Sequence, residues 1–146
     1  MTTRPLPVPN ELTEAFWKYA RNGQLALQRC SSCGYYYHPP EPYCIRCLSR
    51  KLEFSPVSGK GHLRSYTEVW AGARHDYFKA AIPYIVAGVE LEEQPELVVY
   101  ANITDSTVSS LAIGMPLEVH FEQLNDEIAI PQFRPAKNSF APDKEA

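Results

Sequence analysis

The spacing of apolar residues changes character near residue 59 of this chain. Before that point, residues 11–22 carry apolar side chains at helical spacing, which predicts an amphipathic helix. Its apolar face consists of Leu12, Phe16, Tyr19 and Ala20, with Trp17 beside it. Asn10 is a favourable N-cap and Gly23 a favourable stop, so both ends of the helix are marked.

From residue 59 onward, apolar and polar residues alternate with period two, which predicts β-strands. The predicted strands cover residues 61–70, 83–91, 97–104, 115–124 and 128–133. We expect residues 71–81 to form a loop and 106–113 a connector with at most one helical turn. Five strands with a break between the third and fourth match the small Greek-key barrel called the OB-fold, and a five-stranded sandwich is the alternative.

Four cysteines interrupt this pattern in two C-x2-C pairs separated by ten residues, and they are the only cysteines of the chain: Cys30, Cys33, Cys44 and Cys47. Two such pairs can surround one tetrahedral ion, and zinc is the usual occupant of a four-sulfur site. Because four thiolates complete the coordination shell, the predicted role is structural rather than catalytic. A rubredoxin-type iron site and two disulfides are the alternatives.

The segment around the cysteines is predicted to be a ribbon over residues 24–56. Leu25 and Leu27 indicate a strand that leads into the first pair, and residues 52–54 indicate a second strand. Gly34 directly after Cys33 suits the tight turn, since glycine adopts positive φ without steric cost. His38 is not expected to bind the metal, because the four sulfurs already fill the shell.

Composition excludes several classes of protein. The chain has 146 residues, 45% of them hydrophobic and 21% charged, which is ordinary for a globular protein. No apolar run approaches the ~18 residues of a membrane span, and the first residues lack a signal-peptide core. Cysteines committed to a metal suit a reducing compartment, so we expect a cytoplasmic protein.

Charge is distributed unevenly. Residues 1–64 contain nine Lys and Arg against four Asp and Glu, whereas residues 65–146 contain five against thirteen. The net charges are therefore +5 and −8, which sum to the −3 of the whole chain. A basic ribbon beside an acidic barrel can attract an anionic ligand on one side only.

The order of these motifs resembles the DUF35 family over roughly residues 11 to 135. The resemblance rests on the Phe16-Trp17 helix, the LQRC segment that leads into the first cysteine pair, Pro39-Pro40, and the Gly59/Gly61 pair. Family members often carry Cys-Pro-x-Cys where this chain has Cys44-Ile45-Arg46-Cys47, a change that leaves the sulfurs in place.

The resemblance implies a mainly β protein: an arm and helix (1–23), a rubredoxin-like zinc ribbon (24–56), an OB-fold (57–135) and an extended tail (136–146). It also implies a non-catalytic partner of a thiolase-like enzyme in lipid or steroid metabolism. That partner would be a thiolase, an acyltransferase or an aldolase that acts on acyl-CoA esters.

The residues favour a non-enzyme independently. No GxSxG, HExxH, phosphate loop or dinucleotide motif occurs in the sequence. Single-stranded nucleic-acid binding is the alternative function, because ribbons and OB-folds both bind nucleic acids. The aromatic residues available for stacking lie in the acidic half, however, which opposes binding to phosphates.

Two further sets of residues are candidates for contacts. Arg46, Lys60 and Arg64 are predicted to bind the phosphates of an acyl-CoA, since cations pair with phosphate oxygens. Aromatic residues are enriched in protein interfaces. Four aromatic residues are therefore predicted to contact the partner: Phe16, Trp17, Phe133 and Phe140.

Overall fold

The computed structural model describes residues 3–137, and the helix α1 (Glu14–Arg21) is its first element. Asn10 caps the turn that precedes α1, because its Oδ1 accepts hydrogen bonds from the backbone N–H of Leu12 at 2.9 Å and of Thr13 at 3.0 Å. Gly23 ends the helix with φ 75°. The predicted helix is therefore present with the predicted stop, but its regular part begins later than expected, with Thr13 as the N-cap and Asn10 capping the turn before it.

The ribbon is a three-stranded antiparallel sheet of β1 (Ala26–Cys30), β2 (Tyr36–Tyr37) and β3 (Leu52–Pro56), in the order β2-β1-β3. Strands β1 and β3 were predicted, whereas β2 was not. A strand of two residues is too short to show alternation in the sequence. Strand β2 is defined by its antiparallel pairing with β1.

The second half of the chain is a closed five-stranded barrel in the order β4-β5-β6-β8-β7. Its strands are β4 (Lys60–Val69), β5 (Tyr84–Leu91), β6 (Val98–Ile103), β7 (Pro116–Gln123) and β8 (Ala129–Pro135). All five strands were predicted to within a few residues. Closure selects the OB-fold over the sandwich, since a sandwich would leave two separate sheets.

Two short helical segments connect the barrel strands. The predicted loop at 71–81 contains a helix, α2 (Asp76–Ala81), which is a correction. No residue of α2 is buried, so it lacks the apolar face by which a helix is recognised in a sequence. The single turn predicted within 106–113 is present as a 3-10 helix at Val108–Ser110.

One hydrophobic core runs through the ribbon and the barrel. Phe16 from α1 and Leu27 from β1 belong to the same buried cluster as Leu63 and Phe133 of the barrel. Gln94 adds polar contacts, because its side chain accepts a hydrogen bond from the N–H of Tyr36 at 2.9 Å and donates to the carbonyl of Tyr36 at 3.2 Å. The ribbon and the barrel are thus joined by packing as well as by the chain.

Within residues 3–137, the helices are too short and too polar to cross a membrane.

Candidate functional site

The four cysteines lie at two turns of the same construction. The backbone N–H of Gly34 donates to the carbonyl of Cys30 at 2.7 Å, and that of Leu48 donates to the carbonyl of Cys44 at 2.8 Å. These bonds hold each cysteine pair on one side of its turn. The two turns face each other, and all four Sγ atoms lie within 4.8 Å of one another.

The sulfur geometry fits a tetrahedral metal ion. Sγ atoms of Cys30 and Cys47, and of Cys33 and Cys44, are each 3.6 Å apart. A tetrahedron with metal–sulfur distances of ~2.3 Å has edges of about 3.8 Å, close to these separations. All four cysteines are free, so the disulfide alternative is not realised. The donor set suits zinc or iron.

Hydrogen bonds at the sulfurs favour the ionised form that a metal requires. Burial of the Cys44 thiol opposes ionisation, but the hydroxyl of Tyr37 donates to its Sγ at 2.7 Å, and with backbone N–H groups this lowers the pKa of Cys44 to about 6. The N–H of Cys33 lowers the pKa of Cys30 in the same way. Burial raises the pKa of Tyr37 to about 12, so its hydroxyl keeps the proton that it donates.

Cys47 shows why a cation is needed at this site. A backbone N–H of Ser49 lowers the pKa of Cys47, but burial and the other three sulfurs outweigh it, and the net pKa is raised. Four adjacent thiolates therefore repel one another unless a positive ion lies between them. A divalent metal supplies that charge.

His38 takes no part in this cluster, which consists of the four cysteines. Its ring lies 5.7 Å from the ring of Phe16, centre to centre. Burial lowers the pKa of His38, so the imidazole is neutral where it packs. The histidine serves the contact between α1 and the ribbon rather than the metal.

The three cations predicted to bind CoA lie on two different parts of the molecule. Arg46 belongs to the second cysteine turn, where its guanidinium stacks on the ring of Tyr35 at 4.8 Å. Lys60 begins β4 and is exposed. Arg64, on the same strand, already pairs with Glu90 at 3.1 Å. Their contact with CoA stays a prediction, and the structure gives Arg64 a carboxylate partner of its own.

The predicted interface set needs correction. Phe16 is 8% exposed and Phe133 is fully buried, so both are core residues of this chain and offer no surface to a partner. Their aromatic side chains were expected to be buried in a contact, but residue type alone cannot distinguish a contact within the chain from one with a partner. Trp17 is half-buried and packs edge-to-face on Phe16 at 5.0 Å. Phe140 lies outside the described residues.

Arg4 is a residue that the sequence did not single out. Its guanidinium pairs with Glu122 at 2.9 Å, donates to Asn102 at 3.2 Å, and lies over the rings of Tyr77 and Phe78 at 5.8 and 5.7 Å. These contacts fasten the N-terminal arm across the barrel. The partners of Arg4 lie more than seventy positions away in the chain, so no local pattern marks these contacts.

A groove of about 460 Å³ lies beside Arg4. Its walls are mostly apolar and aromatic, and they include Trp17, Phe78, Tyr84 and Tyr100. Within this groove, Tyr100 is 72% exposed.

A second exposed aromatic residue, Trp70, lies on the loop that follows β4 and is 65% exposed. The indole of Trp70 donates to the carboxylate of Glu68 at 3.1 Å, so an acidic group accompanies this aromatic residue.

Comparison with protein families accounts for both halves of the chain. Residues 17–53 match the family described as "ChsH2, rubredoxin-like zinc ribbon domain". Residues 55–122 match the family described as "ChsH2, C-terminal OB-fold domain".

Among individual relatives, the "DUF35 domain-containing scaffold protein" of Methanothermobacter thermautotrophicus is 36% identical over 70% of this chain and 75% of its own length. The protein of the same name from Methanocaldococcus jannaschii is 35% identical, with 68% of each chain covered. The "Probable enoyl-CoA hydratase alpha subunit" of Thermomonospora curvata is 36% identical over 91% of this chain. The present chain spans only 40% of the length of that subunit.

A solved structure described as "Ltp2-ChsH2(DUF35) aldolase" contains a chain that is 30% identical to this one. The match covers 89% of this chain and 98% of that chain, with a TM-score of 0.79. A DUF35 protein of unknown function from Sulfolobus solfataricus is 17% identical with a TM-score of 0.55, a likeness of fold alone. The zinc ribbon, the OB-fold barrel and these relatives together show that the chain belongs to the DUF35 family.

Proposed function

We propose that this chain is a non-catalytic accessory subunit of an acyl-CoA enzyme of the thiolase type. The observation that carries the proposal is the likeness to the DUF35 chain of the Ltp2-ChsH2 aldolase, which extends over nearly the whole length of both chains. That aldolase is named for two components, Ltp2 and ChsH2. A chain with the same two units in the same order has the same means of joining an enzyme.

The names of the other relatives support the same role. The relatives from the two methane-forming archaea are named as scaffold proteins, a role in assembly rather than in chemistry. The Thermomonospora relative is named as a subunit of a probable enoyl-CoA hydratase, which favours acyl-CoA chemistry in the complex. Contacts of Arg46, Lys60 and Arg64 with the CoA phosphates form part of this proposal.

The geometry of the side chains argues against catalysis by the chain alone. All four cysteines lie in the metal cluster, where a shared thiolate is a poor nucleophile. A hydroxyl–imidazole pair does exist, since Thr104 Oγ1 and His120 Nε2 are 2.6 Å apart. Within residues 3–137, however, the Nδ1 of His120 has no hydrogen-bond partner, so no third group orients the ring as a catalytic base requires.

One structural zinc ion completes the proposed subunit. Cys30, Cys33, Cys44 and Cys47 would hold it, and the ion would neutralise their charge and fix the two turns of the ribbon. Iron is the alternative for the same donor set. Thiols that must stay reduced to bind a metal suit a reducing compartment, so we propose the cytoplasm as the site of action.

Co-expression with a thiolase-type enzyme from the same genome tests the proposal. We expect the two proteins to elute together in size-exclusion chromatography at a fixed ratio, with one zinc per chain by elemental analysis. The isolated chain should show no turnover of acyl-CoA, and the enzyme should be more active with the chain than without it. Measurements with and without the CoA ester report whether the ligand strengthens the complex.

The opposite results would refute the accessory role. Turnover of acyl-CoA by the isolated chain would make it an enzyme in its own right. Salt-sensitive retention of single-stranded DNA, with no association with any thiolase-type enzyme, would favour the nucleic-acid alternative.

A further inference from the structure

The two cysteine turns of the ribbon share one backbone geometry but not the same residue at its most constrained point. Gly34, directly after Cys33, has φ 77°, and Leu48, directly after Cys47, has φ 61°. Both residues donate their N–H to the carbonyl of the first cysteine of their pair, at 2.7 and 2.8 Å. The second turn therefore places a leucine in a conformation that the first turn gives to glycine.

Leucine is an unfavourable residue for this position in two respects. A left-handed backbone brings Cβ close to the following carbonyl, which glycine avoids. The Leu48 side chain is also 72% exposed, so it gains little from burial. Among residues 3–137 it belongs to neither hydrophobic cluster of the protein.

Leu48 is accompanied by two other exposed apolar residues of the same turn. Tyr43 is 46% exposed and Ile45 is 63% exposed. We call Tyr43, Ile45 and Leu48 together the knuckle tip. One exposed apolar residue is ordinary on a protein surface, but three within six positions of one closed turn are typical of a contact surface.

Within residues 42–52, which contain the knuckle tip, every charged residue is basic. Arg50 and Lys51 are exposed, and residues 42–52 contain no Asp or Glu. In the part of the chain that the structure describes, neither of these two cations takes part in an ion pair. A surface that complements this arrangement is apolar at its centre and acidic around it.

We propose that the knuckle tip inserts into an apolar hollow, surrounded by carboxylates, on the enzyme subunit. This inference rests on the proposed function and adds to it the surface by which the subunit binds. Local strain combined with apolar exposure marks a residue whose contribution is made in a complex. Leu48 then lowers the stability of the free chain and contributes to the stability of the bound one.

The variant L48G separates these two effects. Glycine removes the side chain and relieves the left-handed strain, so we expect the melting temperature of the isolated chain to rise by about 2–4 °C. The dissociation constant of the complex should increase about tenfold for L48G, and similarly for I45S, as is common for central interface residues. Isothermal titration calorimetry against the thiolase-type enzyme and thermal unfolding measure the two quantities.

The control is I113S. Ile113 is 65% exposed, a fraction similar to that of Ile45, but it lies in the connector before β7. This variant should bind the enzyme with the wild-type dissociation constant. Higher ionic strength should weaken the wild-type complex, because it screens the basic residues around the tip. Elemental analysis of each variant should still find one metal ion per chain.

Two outcomes would overturn the inference while the proposed function stands: unchanged enzyme binding by L48G and I45S, or a lower melting temperature for L48G. If L48G binds the enzyme normally but no longer self-associates, the knuckle tip contacts a second copy of the chain. If L48G binds the enzyme normally but no longer binds anionic phospholipid vesicles, the tip contacts a lipid surface. Either result would also overturn the inference. Failure of the wild-type chain to bind any thiolase-type enzyme refutes the proposed function itself.

Discussion

His38 is the residue through which the acid stability of the ribbon can be tested. Burial lowers its pKa below the ordinary value of 6.5, so at mildly acidic pH the unfolded chain binds a proton that the folded chain does not. The contribution of neutral His38 to the free energy of unfolding is therefore fully present above pH 6.5 and is lost as the pH falls below that value. In H38Q this dependence should be shallower, as measured by the free energy of unfolding in urea at pH 7.5 and pH 5.5. Equal losses in both proteins would contradict this role.

The residues of the metal cluster were predictable because their geometry is local. A C-x2-C pair forms one turn, and two such turns within eighteen residues are typical of a single four-sulfur metal site. Long-range contacts carry no such signal. Phe16 and Phe133 were expected at an interface, but tertiary packing buries them. The hydrogen-bond partners of Arg4 lie on strands far along the chain.

At the scale of elements, Gly61 is required where β4 pairs with β5. A Cβ at this position would collide with the backbone carbonyl of Glu90, which belongs to the neighbouring strand and cannot rotate away. We expect G61A to destabilise the barrel by about 2–3 kcal/mol, as overpacking against backbone does. Chemical denaturation measures the difference.

Gly72 is the matched control for Gly61. It has φ 86° in a loop, and a Cβ there would meet nothing within 4 Å. G72A should therefore lose only the cost of a left-handed backbone, about 1 kcal/mol. Equal effects of the two variants would show that crowding at Gly61 is not what excludes a side chain.

The elements that could be predicted are those with a recognisable pattern of their own. Strand β7 alternates apolar and polar residues, whereas β5 and β6 are runs of mostly apolar residues between turn residues, and both patterns indicate strands. The strand β2 has two residues and α2 has six with none buried, so neither contains a pattern to find. Their existence depends on neighbours that the sequence does not reveal locally.

At the scale of the whole molecule, the ribbon and the barrel share one hydrophobic core. Leu25 and Leu27 of the ribbon lie in one buried cluster with Leu63 and Leu117 of the barrel, and Phe16 of α1 belongs to the same cluster. A partner that binds the ribbon therefore also fixes the position of the barrel. The shared core therefore holds the ribbon and the barrel in one fixed orientation.

Loss of the metal should accordingly affect the entire chain. The variant C44S removes a fully buried thiolate of the cluster together with its bond from Tyr37, so we expect it to lose the ion. Metal binding contributes of order 10 kcal/mol to folding in zinc-finger peptides. At roughly 2–4 °C per kcal/mol, this corresponds to a fall in melting temperature of about 20–40 °C for this chain. Because the core is shared, calorimetry should show one transition at the lower temperature.

S32A is the control for this experiment, since it removes only the exposed hydrogen bond between Ser32 and Ser49, 2.9 Å long, from the same ribbon. It should retain the metal and the wild-type transition. Two separate transitions in C44S, with the barrel melting at its original temperature, would show that the shared core does not couple the units. Full metal content in C44S would show that Cys44 is not a ligand. A single lowered transition means that an ion held by the ribbon also stabilises the barrel, through the core that the two units share.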